Sequence, residues 1–257
     1  MLLNLTNLLS EFHSFTCSRS AWAGLSGRNI IMLIFLLLII GPGIPRALAQ
    51  QWTEVRKAVA SDRERDDKLG SSVAISGDYA IVGAPHEDED AAGQNTESDA
   101  GAAYIFERDN NGSWAEVQKL VALDRDAGDR FGTAVAISGD YAIVGARLDE
   151  EDPNGQNTMF WAGSVYIFER NGQGNWSEVQ KIVASDRFNG DQFGSSVAIS
   201  GDYAIIGSNN GRDTNQQNQL TNAGAAYFFE RDNQGIWSEV QKIVASDRAF
   251  GDQFGTA

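Results

Sequence analysis

The 257-residue chain carries 20 basic and 35 acidic residues, a formal net charge of −15, which argues against nucleic acid and anionic membrane surfaces as partners. Its only cysteine is Cys17 and its only histidines are His13 and His86. Past the first fifty residues there is no disulfide, thiol nucleophile or thiolate metal site, and no Ser-His-Asp device or multi-histidine site can form without His86.

Residues 30–40, IIMLIFLLLII, are an unbroken apolar run of eleven. That is too short to span a bilayer as a helix and suits the hydrophobic region of a signal peptide. Arg28 precedes it, Gly41, Pro42, Gly43 and Pro45 end it, and Ala47-Leu48-Ala49 offers small residues for cleavage after Ala49. Residues 1–49 are therefore expected to be a signal peptide, with an uncleaved membrane anchor as the alternative. The stretch before Arg28 is long for a leader, so the true start codon is expected further in. Removing Arg19, Arg28, Arg46 and Glu11 from 20 basic and 35 acidic residues leaves 17 and 34, a net of −17. A secreted or cell-surface location follows from this reading.

Residues 50–257 are repetitive. The string GDYAI begins at Gly77, Gly139 and Gly201, a period of 62, and a fixed period of this size signals repeat architecture. Trp52–Ala60 reads as a strand with the character of a last strand. In the second copy Phe131–Ser138 and Tyr141–Ala146 read as a hairpin around Gly139-Asp140. A polar loop, Arg147–Trp161, precedes a third strand, Ala162–Glu169; a turn, Arg170–Asn175, precedes a fourth, Trp176–Ala184. The first three strands are almost continuously apolar, as expected when both faces of a sheet are covered, whereas the fourth mixes charge with Trp, Val and Ile like an outer edge. These features describe four-stranded antiparallel blades of an all-β propeller, near 69–123, 131–185 and 193–246, with a stacked solenoid as the rival.

Phe131-Gly132 ahead of a strand and Gly83-Ala84-Pro85 after the strand YAIV resemble the FG-GAP repeat of integrin alpha-subunit propellers and their bacterial relatives. The resemblance runs from Gln51 to Ala257. Leu69 replaces the Phe of the first copy, and later copies read Gly145-Ala146-Arg147 and Gly207-Ser208-Asn209. Many FG-GAP repeats hold calcium in an Asp- and Gly-rich loop between their first two strands. Here only Ser-Gly-Asp-Tyr stands there, and one Asp cannot supply the six to eight oxygens calcium takes. No cofactor is carried over; calcium stays open only for the acidic loops. Three blades plus a strand at either end make an open fragment, and a seven-blade relative would need roughly 430 residues. A truncated reading frame is expected.

In such a blade the second-to-third-strand loops (Pro85–Ala100, Arg147–Trp161, Ser208–Ala223) and the DR…GD connectors emerge on one face, the natural binding surface. Candidate residues are the acidic runs Glu87-Asp88-Glu89-Asp90 and Asp149-Glu150-Glu151-Asp152, which could take calcium or a basic partner or be solvated loop charge. The third loop has Arg212 and Asp213 instead. Trp161 could stack on a sugar, anchor a peptide or cap its blade. In the connectors, Gly supplies a turn, Asp accepts backbone N–H bonds and Arg is expected to pair with carboxylates between blades. Trp52, Trp114, Trp176 and Trp237 recur at one strand position as packing anchors. Asn111-Gly-Ser113 and Asn175-Trp-Ser177 match glycosylation acceptors but lie at tight turns. No acid, base and positioning group converge. The resemblance implies a non-enzymatic module contacting protein or glycan, against a structural spacer or a propeller hydrolase or lyase.

Overall fold

The computed structural model describes residues 54, 57–212 and 222–256. The expected leader, Trp52 and Asp213 lie outside the described residues. Three four-stranded antiparallel sheets follow one another: β1 (Ser72–Ser76), β2 (Tyr79–Ala84), β3 (Ala102–Arg108) and β4 (Trp114–Leu120); β5 (Phe131–Ser138), β6 (Tyr141–Ala146), β7 (Ser164–Arg170) and β8 (Trp176–Ile182); β9 (Phe193–Ser200), β10 (Tyr203–Ser208), β11 (Ala225–Arg231) and β12 (Trp237–Ile243). In each sheet the spatial order equals the chain order. These are propeller blades. Of the expected strand Trp52–Ala60, the described residues 57–60 form no strand, and Phe254 makes only an isolated bridge to Gly224.

Each inner hairpin closes on Gly-Asp with register Ser76↔Tyr79, Ser138↔Tyr141 and Ser200↔Tyr203. Gly139 has φ 59°, the positive value that the first central residue of a II′ hairpin turn demands. The Asp of that turn is pinned in place. The Asp78 carboxylate accepts from the Arg108 guanidinium at 2.6 Å, and Asp140 with Arg170 and Asp202 with Arg231 repeat the pair.

The two glycines of the family signature meet across blades. A Cβ on Gly83 would lie 2.0 Å from the Gly132 carbonyl oxygen, and one on Gly145 would lie 2.1 Å from that of Gly194. Gly132 itself has φ 88° and sits where the register of β5 against β6 shifts. A side chain at either position would push the inner strand of one blade off its neighbour. Beside this contact Phe131 is fully buried, its ring 5.4 Å from Tyr166 and 5.9 Å from Phe168.

Two apolar cores fill the spaces between blades. Ile81, Ile105, Val135, Ile137 and Val144 pack between the first and second sheets, and Ile143, Ile167, Ile206 and Tyr227 between the second and third. In the second and third sheets the recurring Trp locks the outer strand to the preceding blade. Trp176 meets Tyr79 edge-on at 6.1 Å and Trp237 meets Tyr141 at 6.1 Å. The backbone of Trp176 exchanges two hydrogen bonds with the side-chain amide of Gln118, and Trp237 does so with Gln180. A bulge in every fourth strand, between Ile105 and Phe106 on the partner side in the first sheet, turns Val117, Val179 and Val240 outward.

Candidate functional site

The long loops and the connectors do share one face, joined by backbone hydrogen bonds. Gly128 N donates to Ser98 O at 2.8 Å, and Gly190 N to Phe160 O at 2.7 Å. Where carboxylate pairing was expected, the connector arginines bind carbonyls. Arg125 donates to Asn95 O and Asp88 O at 2.6 and 2.7 Å, and Arg187 to Asn157 O and Glu150 O at 3.2 and 2.8 Å. A planar fork suits two carbonyls of a curled loop, and each arginine thereby fixes the long loop before it. The connector Asp does accept a backbone bond, as Asp129 does from Asp126 N at 2.8 Å.

Neither acidic run is a solvated stripe of charge. Glu87 and Asp149 are buried, at 1% and 0% exposure. Lys119 Nζ lies 2.8 Å from Asp62 and 3.1 Å from Glu87, and Lys181 Nζ lies 2.8 Å from both Asp124 and Asp149. The Tyr104 hydroxyl reaches Asp62 and Glu87, and the Tyr166 hydroxyl reaches Asp124 and Asp149, each with one proton to donate. Burial and these carboxylates push both phenols far up, so they stay neutral. Burial opposes the charge on Lys181, yet Asp149 and Asp124 outweigh it and raise its pKa. The third copy has Gly211 at the Glu87 position, while Lys242 and the Tyr227 hydroxyl still meet Asp186. Since the connector supplies the Asp and the blade supplies Tyr and Lys, these clusters clamp the connector onto the next blade. The sequence signal for the clamp is the repetition of D-R, Y and K, with Tyr and Lys 42 and 57 residues past the Asp in the second copy and 41 and 56 in the third.

The other acids of the runs are loop staples. Asp88 accepts from Asp99 N at 2.7 Å, and Glu89 N donates to Glu87 at 3.1 Å. Asp90 accepts from Ala92 N and Gln94 N and from the Asn95 amide; Asp152 does the same with Asn154, Gln156 and Asn157. Glu151 N donates to Asp149, and Glu150 serves through its carbonyl. Asp62, Glu87 and Glu89 come within 4.8 Å of one another, but the Lys119 ammonium already sits between two of them. The place where relatives carry the calcium loop does not fit that ion either. Its single carboxylate, on Asp78, Asp140 or Asp202, is committed to an arginine.

Trp161 stands apart from these staples. It is 42% exposed, stacked on Phe160 with ring centroids 4.2 Å apart and planes at 26°. Its φ is 52°; the matching residues are Asp99 at 55° and Asn222 at 57°. Asp and Asn tolerate the left-handed region, whereas a bulky residue there is strained by roughly 1 kcal/mol. Trp161 borders a cavity of about 160 Å³ between connector and loop, lined also by Asp126, Asp129, Leu148, Glu150 and Glu151. Burial, then the Asp149 charge, raises Asp129 to about 7, and burial raises Asp191 to about 6. Arg212 lies over Phe188 at 3.9 Å and 3.7 Å from Asp191. His86 is held between Asp99 and Lys68, with Nδ1 2.8 Å from the carboxylate.

The FG-GAP repeat pattern matches residues 52–106, 114–168 and 176–229, three consecutive copies over most of the chain. The chain belongs to the FG-GAP repeat family. A comparison with curated proteins gave no match. Among solved structures, Sqt1 from Chaetomium thermophilum is similar at 12% identity and TM-score 0.41 over 73% of this chain and 40% of that one. A hypothetical selenium-binding protein from Sulfolobus tokodaii is similar at 7% identity and TM-score 0.35 over 68% and 43%. A Lactobacillus plantarum protein is similar at 12% and TM-score 0.30 over 69% and 57%. The FG-GAP chain thus matches between two fifths and three fifths of the length of these structures.

Proposed function

We propose that this FG-GAP propeller is an exported, non-enzymatic binding module that contacts a glycan or protein through its loop-rich face. The observation that carries this reading is the Phe160–Trp161 stack, exposed beside a carboxylate-lined cavity and held in a strained backbone state its sibling positions fill with Asp99 and Asn222. An exposed aromatic plane offers stacking to the apolar face of a sugar ring or to a peptide side chain, and neighbouring carboxylates accept hydroxyl or ammonium protons. The loop beneath is held by Arg187 and Asp152 hydrogen bonds, which lowers the ordering entropy lost on binding. Export is supported by the apolar run 30–40 and Ala47-Leu48-Ala49. A non-enzymatic role is supported by the engagement of His86 and of the buried carboxylates in structural pairs.

Arrays of oligosaccharides and of synthetic peptides, probed with the folded chain and with Trp161→Ala, test the reading. Binding to at least one array member, lost in Trp161→Ala and kept in Val179→Ala, is the expected result. Absence of binding to any member, or binding that survives Trp161→Ala, favours a spacer role and overturns it.

A further inference from the structure

A second concavity opens on the same face, near the inner strands, and its charge is opposite to that of the chain. It measures about 240 Å³ and draws on all three blades: Pro85 and His86 from the first, Arg130, Thr133 and Arg147 from the second, Asn209 from the third. In a chain of net charge −15, Arg130, Arg147 and Lys68 gather around it with one carboxylate, Asp99. That carboxylate is already engaged. One oxygen holds His86 Nδ1 at 2.8 Å, and the other lies 4.0 Å from Arg130. Lys68 Nζ sits 3.0 Å from His86 Nε2, so both ring nitrogens of His86 are engaged.

Arg147 is the distinctive member. Among the described residues no carboxylate comes within ion-pair distance of its guanidinium, and its polar contact is the Gln192 side-chain oxygen at 3.4 Å. Burial, and then the charge of Arg130, lowers its pKa, so the half-buried cation faces another cation. The other arginines of the blades are spoken for: Arg108, Arg170 and Arg231 by aspartates, Arg125 and Arg187 by carbonyls. The repeat does not need arginine at either place. The matching residues are Lys68 and Gln192 for Arg130, and Pro85 and Asn209 for Arg147. The rim hydroxyls contribute no free proton, since Thr133 donates to Arg130 O and Ser71 to Lys68 O.

We propose that this cavity is an oxyanion-binding site, in which Arg147 and Arg130, with Lys68 at the rim, hold the carboxylate, phosphate or sulfate group of an acidic ligand. Guanidinium groups present paired N–H donors that match two oxygens of such a group. A bound anion would separate the two arginine charges and give Arg147 the partner it lacks. The volume admits one charged group with a short stem, of order eight waters' worth. The site uses residues distinct from the Phe160–Trp161 stack and stands whether or not that stack binds a ligand.

Inorganic phosphate, inorganic sulfate and succinate, each titrated against chloride at equal ionic strength, test it by calorimetry and by the shift in melting temperature. At least one of the three is expected to bind at millimolar concentration and raise the melting temperature. Arg147→Gln and Arg130→Gln should each weaken that binding about tenfold, the loss of one charge-assisted pair. Asp99→Asn, which removes the competing internal carboxylate, should tighten it; a merely structural role for these arginines would not produce that gain. Preference for phosphate and sulfate assigns a tetrahedral ligand, and preference for succinate a carboxylate; both support the site. Binding no stronger than that of chloride for all three, or equal binding in folded Arg147→Gln and Arg130→Gln, overturns it.

Discussion

The strands β1 and β5 end in nearly the same letters, SVAIS and TAVAIS, and have opposite fates. Val73 and Ile75 are 68% and 65% exposed, whereas Val135 and Ile137 are each 7% exposed. Among the described residues the second blade has a neighbour on either side and the first has one. The same residues therefore form a core in one copy and an apolar surface in the other. What stabilises a blade in this fold is the blade beside it, as a nearest-neighbour account of repeats requires. The recurring Trp makes the same point. Trp176 has Tyr79 against its edge and Arg170 at 6.0 Å, and Gln118 on its backbone; Trp114 has Arg108 at 5.9 Å and the small core of Tyr104 and Phe106.

The contrast is broken most sharply at the tryptophans. Trp176→Ala is expected to cost about 3–5 kcal/mol, because it empties a buried site and frees Tyr79, while Trp114→Ala should cost less than half as much. Chemical denaturation of the two variants measures the difference; equal losses would mean that blade contacts do not set stability. A smaller effect separates the strands themselves. Ile137→Ala should cost about 2–3 kcal/mol and Ile75→Ala less than about 0.5 kcal/mol, read from the same denaturation midpoints.

The mildest contrast is in pH. The folded state raises Asp129 to about 7 and Asp191 to about 6 through burial, above an unfolded value near 4. A raised carboxyl binds its proton more tightly when folded, so its stabilisation is present in full below about 4 and is lost as pH rises through the folded value. Melting temperature should therefore climb as pH falls from 8 towards 5, by at most about 1.4 kcal/mol of stability per unit for each group. Asp129→Asn should flatten this slope more than Asp191→Asn. A melting curve unchanged between those limits in the parent chain would show that Asp129 is not buried as a charge.

The binding face divides in the same way between what letters reveal and what they hide. Trp161 was legible as a candidate, because a tryptophan in a polar loop is conspicuous. The stack with Phe160 and the left-handed φ were not, since the position becomes special only when Asp99 and Asn222 are superposed on it. Glu87 and Asp149 looked like loop charge and proved to be buried partners of Lys119 and Lys181, at distances in sequence of about half a repeat. Arg147 looked like a lapse from the Gly-Ala-Pro pattern; beside Arg130 it became half of a basic cleft.

The period of 62, the Gly-Asp hairpins and the alternation of apolar and mixed strands were sufficient by themselves to determine four-stranded blades, because hairpin turns and strand patterns are local and repeat with the chain. The pairing of Gly83 with Gly132, the clamp of Asp124 on Tyr166 and Lys181, and the burial of Val135 but not Val73 were decided only by the tertiary structure. Each depends on which blade lies alongside, and that is a property of neighbours that no single repeat encodes.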